Sequence, residues 1–143
     1  MTPSRERWYR RLYLVATIYD VVLGVVFLFF AGWAFDLLEI RDEIPEGGYV
    51  PLIGAFLLVI GIAYWLIYRG DLVENRDLIA VGTLYKLAYS GVGFWVWAFE
   101  EVPHIAFVAV FGIADVVFFV LMLECWMVVR KEAAARYALP ASG

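Results

Sequence analysis

Three charged side chains, Asp20, Lys86 and Asp115, stand inside long apolar runs where a membrane-crossing segment normally carries none. An ionisable group near the centre of a bilayer costs at least a few kcal/mol, so it turns toward protein or water and takes a partner. A lysine with two carboxylates supports two kinds of chemistry. It can pin helices in register as a buried ion pair. It can also bind a polar solute or exchange protons, because charges of mixed sign in a low dielectric titrate together. Tyr13, Thr17, Asp20 and Gly24 follow helical spacing, as do Thr83, Lys86, Ser90 and Gly93, which gives two polar stripes. Thr17, Tyr19, Tyr64, Thr83, Tyr85 and Ser90 are the candidate hydrogen-bonding neighbours of the charges. His104 precedes Asp115 by eleven residues, nearly three helical turns, so this spacing places it on the same face. Glu124 points away and is expected to snorkel toward the interface beside Arg130 and Lys131.

Other chemistries are poorly supplied. Cys125 is the only cysteine, which excludes an intramolecular disulfide, a CxxC redox pair and a thiolate-rich metal site. With His104 the only histidine, one chain cannot build a bis-histidine haem or a His-rich zinc site. No metal site and no catalytic residues are therefore expected. The 11 basic residues against 15 acidic ones, net charge -4, disfavour a nucleic-acid partner.

The elements that must hold the charges are four apolar runs, at residues 12–35, 49–68, 78–99 and 102–129. Each meets or exceeds the roughly 20 residues that a helix rising about 1.5 Å per residue needs to cross about 30 Å of hydrocarbon. The whole chain agrees, being 64% hydrophobic and 18% charged over 143 residues, with a mean hydropathy of +0.81. A soluble domain is about half apolar and roughly a quarter charged. The runs lack the period-2 alternation of membrane barrel strands, and the first exceeds a signal-peptide core in length. The expected fold is thus an all-α membrane protein, residues 1–143 forming a single bundle of four transmembrane helices. Trp8, Trp33, Trp65, Trp95, Trp97 and Trp126 fall near the ends of the runs, where amphipathic rings prefer the headgroup region.

Basic residues set the expected orientation. Arg5, Arg7, Arg10 and Arg11 precede the first run, Arg69 and Arg76 separate the second and third, and Arg130, Lys131 and Arg136 follow the fourth. Only Arg41 stands on the other side, so the positive-inside rule places both termini in the cytoplasm. The opposite loops are acidic, with Asp36, Glu39, Asp42, Glu43, Glu46, Glu100 and Glu101. From the cytoplasmic ends, Asp20 and Lys86 each lie about eight residues in, roughly 12 Å, and Asp115 about 14 residues in, roughly 21 Å. A long lysine stem can reach either carboxylate.

An internal repeat organises the runs. Residues Val15 to Asp20 align without gaps with Val81 to Lys86, and Gly61-Ile62-Ala63-Tyr64 aligns with Gly112-Ile113-Ala114-Asp115, with Pro51 and Pro103 upstream at comparable distances. Two tandem helical hairpins in parallel repeat would follow, related by an axis along the membrane normal. Gly54, Gly61, Ala63, Gly91 and Gly93 allow close helix approach, and the segment from Lys131 to Tyr137 is expected to continue the fourth helix.

The four-span plan resembles small bacterial membrane proteins of the DoxX-like type. The resemblance rests on Arg76-Asp77-Leu78 leading to Lys86-Leu87, and on Ala114-Asp115 followed by Val116, Val117, Phe118 and Phe119. It implies a helical bundle in a bacterial cytoplasmic membrane and a role as a partner subunit; DoxX itself is associated with quinone-linked sulfur oxidation, but this chain has no cysteine pair or metal site of its own to carry that activity, and a quinone headgroup would be held by its 18% aromatic residues. The reading of the whole sequence is a non-enzymatic accessory or assembly subunit, in a complex or as a homo-oligomer, with Asp20, Lys86 and Asp115 clustered. The alternatives are a small transporter or solute-binding protein for a polar ligand or proton, and a quinone-associated redox accessory subunit.

Overall fold

The computed structural model describes residues 1–43, 47–102 and 104–138, which are helical throughout apart from short connections. Helix α1 spans Pro3–Phe29. Its start is encoded by Thr2, whose hydroxyl accepts from the Arg5 N–H, and by proline in the first turn, where a missing N–H costs little. The short α2 spans Ala31–Leu37, α3 spans Tyr49–Arg69 and α4 spans Arg76–Phe99. Helix α5 runs continuously over Ile105–Ala138, with a π-helical stretch at Val108–Ala114.

Of these, α1, α3 and α5 are long and apolar enough to cross a membrane. Helix α4 has comparable length, 24 residues, but Lys86, Thr83, Ser90, two tyrosines and three glycines dilute its apolarity. Helices α3 and α4 cover the second and third apolar runs. The first does not form a single helix. The chain breaks at Phe30, where the backbone leaves the helical region, and the separate α2 carries Phe35 back into the structure. Phe35 is buried there against Phe27, with ring centroids 6.5 Å apart, and Phe107, at 5.8 Å. The fourth helix continues through Lys131 to Ala138 as expected. Pro51 lies in the first turn of α3, whereas Pro103 and Glu46 fall outside the described residues.

Helices α1 and α3 form one closely packed pair, and α4 and α5 the other. Glycines decide the first contact. A Cβ on Gly54 would lie 2.6 Å from the backbone nitrogen of Leu28, and one on Gly24 would lie 2.9 Å from the Gly54 carbonyl oxygen. Gly61 sits against Val21 in the same seam. In the second pair Gly93 abuts the backbone of Phe111 and Gly112, while Gly91 faces open space and makes no such contact. This is the small-residue packing that brings helices together when no hydrophobic force between them is available.

Both described chain ends and the 70–75 connection meet at one end of the bundle. The Arg10 guanidinium donates to the carbonyls of Tyr68 and Gly70, at 2.8 and 2.7 Å. Arg5 pairs with Glu124, the terminal amine with Glu132, and Arg136 with Asp71. Glu124 therefore does not snorkel beside Arg130 and Lys131: Arg5, and the Tyr9 hydroxyl at 3.0 Å, reach it across the helix interface. Between this end and the charges lies one apolar core, which includes Tyr9, Tyr13, Tyr64, Ile67, Ile79, Met122, Cys125 and Val129.

Candidate functional site

Lys86 on α4 donates from Nζ to Asp20 Oδ1 on α1 at 2.8 Å and to Asp115 Oδ1 on α5 at 2.9 Å. All three residues are buried, with relative exposures of 0%, 0% and 1% for Asp20, Lys86 and Asp115. Both Oδ1 atoms meet the same Nζ, so the difference in depth expected between Asp20 and Asp115 is not kept at their carboxylates.

Four aromatic rings enclose the ammonium. Nζ lies 4.8 Å from the ring centre of Tyr19, 5.2 Å from Phe118, 5.6 Å from Tyr85 and 5.8 Å from Tyr64. Within about 6 Å a ring face attracts a cation, the more so when water is excluded. Since Tyr64 belongs to α3, all four long helices contribute to the site. The rings are themselves anchored. Tyr19 donates to the Val110 carbonyl at 2.7 Å, inside the π-helical stretch that ends beside Asp115. Such stretches alter the turn geometry and re-aim the residues that follow. Tyr64 donates to the Gly82 carbonyl at 2.9 Å, and a Cβ at Gly82 would lie 2.5 Å from the Tyr64 ring, so only glycine admits this tyrosine.

The remaining predicted neighbours divide. Tyr85 approaches the cluster with its ring, and its hydroxyl is buried without a partner among the described residues. Thr17 and Thr83 turn away to their own helices, donating to the carbonyls of Tyr13 and Ile79 at 2.8 Å each. Ser90 does the same to Leu87 at 3.1 Å. This back-bonding satisfies a hydroxyl within a helix without help from another chain segment. His104 does not join the cluster. It is the N-cap of α5, in extended backbone, with its Nδ1 accepting from the Ala106 N–H at 3.1 Å. Helical spacing fails here because His104 precedes the helix and the π-helical stretch changes the phase before Asp115.

Asp20 Oδ2 is buried and accepts no hydrogen bond from the described residues. Beyond the triad, away from the chain ends, a second feature appears that the residue types did not signal: an apolar cavity of about 500 Å³, open to the surface beside Val92 and bordered by Phe27, Phe35, Val50, Tyr89 and Phe111, among others. Tyr89 stacks on Tyr85 with ring centroids 4.6 Å apart, so two rings separate the cavity from the lysine. Among the described residues no group of acidic, histidine and cysteine side chains is arranged to hold a metal ion.

No family model, no curated protein and no solved structure matches the chain. Fold and site define its class: a helical chain with three helices long and apolar enough to span a membrane and a buried Asp–Lys–Asp salt-bridge cluster.

Proposed function

We propose that the protein is a four-span integral membrane protein, with α4 as the remaining span and both termini cytoplasmic, that serves as a non-enzymatic accessory or assembly subunit. The observation that carries this reading is the closure of the triad. Lys86 is fully enclosed and already holds a carboxylate from each helix pair, Asp20 from α1 and Asp115 from α5. A charge spent in this way clamps the helix pairs in one register. Interaction then falls to the outer faces, where Trp33, Phe56, Val92 and Trp95 are exposed for lipid or a partner chain. Convergence of the basic chain ends and the 70–75 connection at one end supports the orientation.

A second reading draws on the cavity. Its size lies within the range of small-ligand sites, about 300–1,000 Å³, and its apolar walls suit an apolar molecule. That favours an isoprenoid or lipid-like ligand, the quinone-associated alternative, over a polar solute carried by the triad. Native mass spectrometry of protein gently extracted from its own membrane separates the readings. A partner chain at fixed stoichiometry supports the accessory subunit. A monomer or homo-oligomer that retains a defined small molecule replaces it with the binding protein.

A further inference from the structure

The charge balance of the triad is incomplete. With every group ionised, two carboxylates and one ammonium leave a net charge of one negative, enclosed by rings. Among the described residues Lys86 is the one cation paired with Asp20 or Asp115. The other groups facing the cluster supply no positive charge: Tyr19 from α1, Tyr64 from α3, Tyr85 from α4 and Phe118 from α5. Nor is the surplus spread by hydrogen bonds, because Asp20 Oδ2 has no donor among the described residues. An ionised carboxylate oxygen in such surroundings is costly, and a buried group so placed neutralises instead.

We propose that the triad is a binding site for one exchangeable proton, shared by Asp20 and Asp115 and seated on the free Oδ2 of Asp20. Protonation there brings the site to zero net charge while both lysine hydrogen bonds, which use the Oδ1 atoms, remain in place. A proton fits more readily than a metal cation, since Asp20 is fully buried and a proton on Oδ2 needs no room for a hydration shell. The clamp thereby becomes a clamp with one titratable position, and losing that proton returns a full negative charge to the interface of three helices. This inference rests on the closed triad of the preceding reading, but not on whether the protein has a partner.

The test is carboxyl ¹³C NMR of aspartate-labelled protein in lipid nanodiscs, followed across pH. At neutral pH the expected spectrum has one protonated carboxyl, assigned to the Asp20–Asp115 pair. In Asp20→Asn the remaining Asp115 is expected to be ionised, and in Asp115→Asn the remaining Asp20 is, because either change removes the surplus charge and leaves a neutral pair with Lys86. A wild-type spectrum with both carboxyls ionised overturns the proposal. So does a carboxyl that stays protonated in both variants, which would assign the proton to burial alone. Ionised wild-type carboxyls whose signals move when sodium replaces potassium would assign the site to a metal cation instead. Each of these results is independent of the partner search, so failure of the accessory reading and failure of the proton site are told apart.

Discussion

Between the triad and the chain ends, Tyr13, Tyr64, Ile67, Ile79, Met122, Cys125 and Val129 are shut off from the surface and pack into one cluster, whereas beyond the triad Phe35, Val50 and Val108 border a cavity of about 500 Å³. The same four long helices build both halves, with α2 adding Phe35 to the second. The difference teaches where cohesion resides. Inside a membrane, helix association draws on van der Waals contact and hydrogen bonds rather than on the hydrophobic effect, so a filled half holds and a hollow half can be spent on ligands or motion. The triad stands at the boundary and joins the helix pairs there.

The comparison breaks first at that boundary. Lys86→Met is expected to cause the largest loss, about 3–5 kcal/mol, because it removes the one cation among the described residues that is paired with the buried Asp20 and Asp115. Replacing all three residues together, Asp20→Asn, Lys86→Met and Asp115→Asn, should recover most of that loss, as read by unfolding in mixed detergent. A triple variant as damaged as the single one would mean that the triad is no clamp.

Next come the two halves themselves. Met122→Ala in the filled half is expected to cost about 2–5 kcal/mol, since the void it leaves has rigid walls. Met122 has no exposed surface. Val108→Ala only enlarges an existing cavity and should cost less than half as much in the same assay. Equal losses would remove the distinction between the halves.

The far half is not loose everywhere, and glycine substitutions sharpen this point. Gly54→Ala places a methyl 2.6 Å from the Leu28 nitrogen, forcing α1 and α3 apart. Overpacking of this kind costs about 1–3 kcal/mol. Gly91→Ala, on a face with nothing within 4 Å, should be neutral or slightly favourable. A harmless Gly54→Ala would show that the α1–α3 seam yields as easily as the cavity walls.

Much of this arrangement was legible in the residues. Asp20, Lys86 and Asp115 announced themselves because charges in apolar runs are outliers, and opposite charge with the reach of a lysine grouped them even though depth arithmetic set Asp115 apart. Tyr19, Tyr64 and Tyr85 were singled out as hydrogen-bonding neighbours, but they contribute chiefly their ring faces, a choice that depends on rotamers and not on spacing. His104 was misplaced because a π-helical stretch leaves no periodic mark in an all-apolar segment. The break at Phe30 is equally silent, since Phe29, Phe30 and Ala31 read as continuous helix until Phe35 is seen packed beneath the bundle. Glu124 was matched to basic residues near in sequence, yet its partner Arg5 lies on another helix. The cavity is a failure of long-range packing, which no local pattern records.

The smallest expected effect lies at the end that holds the chain termini. Asp71 is partly buried, which works against its charge, but the N–H groups of Glu74 and Val73, then the Arg136 guanidinium at 3.4 Å, outweigh that and hold its carboxyl below the ordinary value of 3.8. A carboxyl depressed by folding contributes stability that is present above its unfolded value and is lost as pH falls through the folded one. With its side chain 42% exposed, the contribution of Asp71 is screened and should stay below about 1 kcal/mol. Asp71→Asn keeps an oxygen for the Val73 and Glu74 N–H groups while removing the charge. The variant should therefore lose slightly less stability than wild type on acidification below the ordinary carboxylate range, and differ little between the two ends of the neutral range. A large effect at neutral pH would mean that the tie from α5 to the 70–75 connection matters as much as the apolar cluster above it, and the cohesion assigned to packing in that half would have to be shared with its ion pairs.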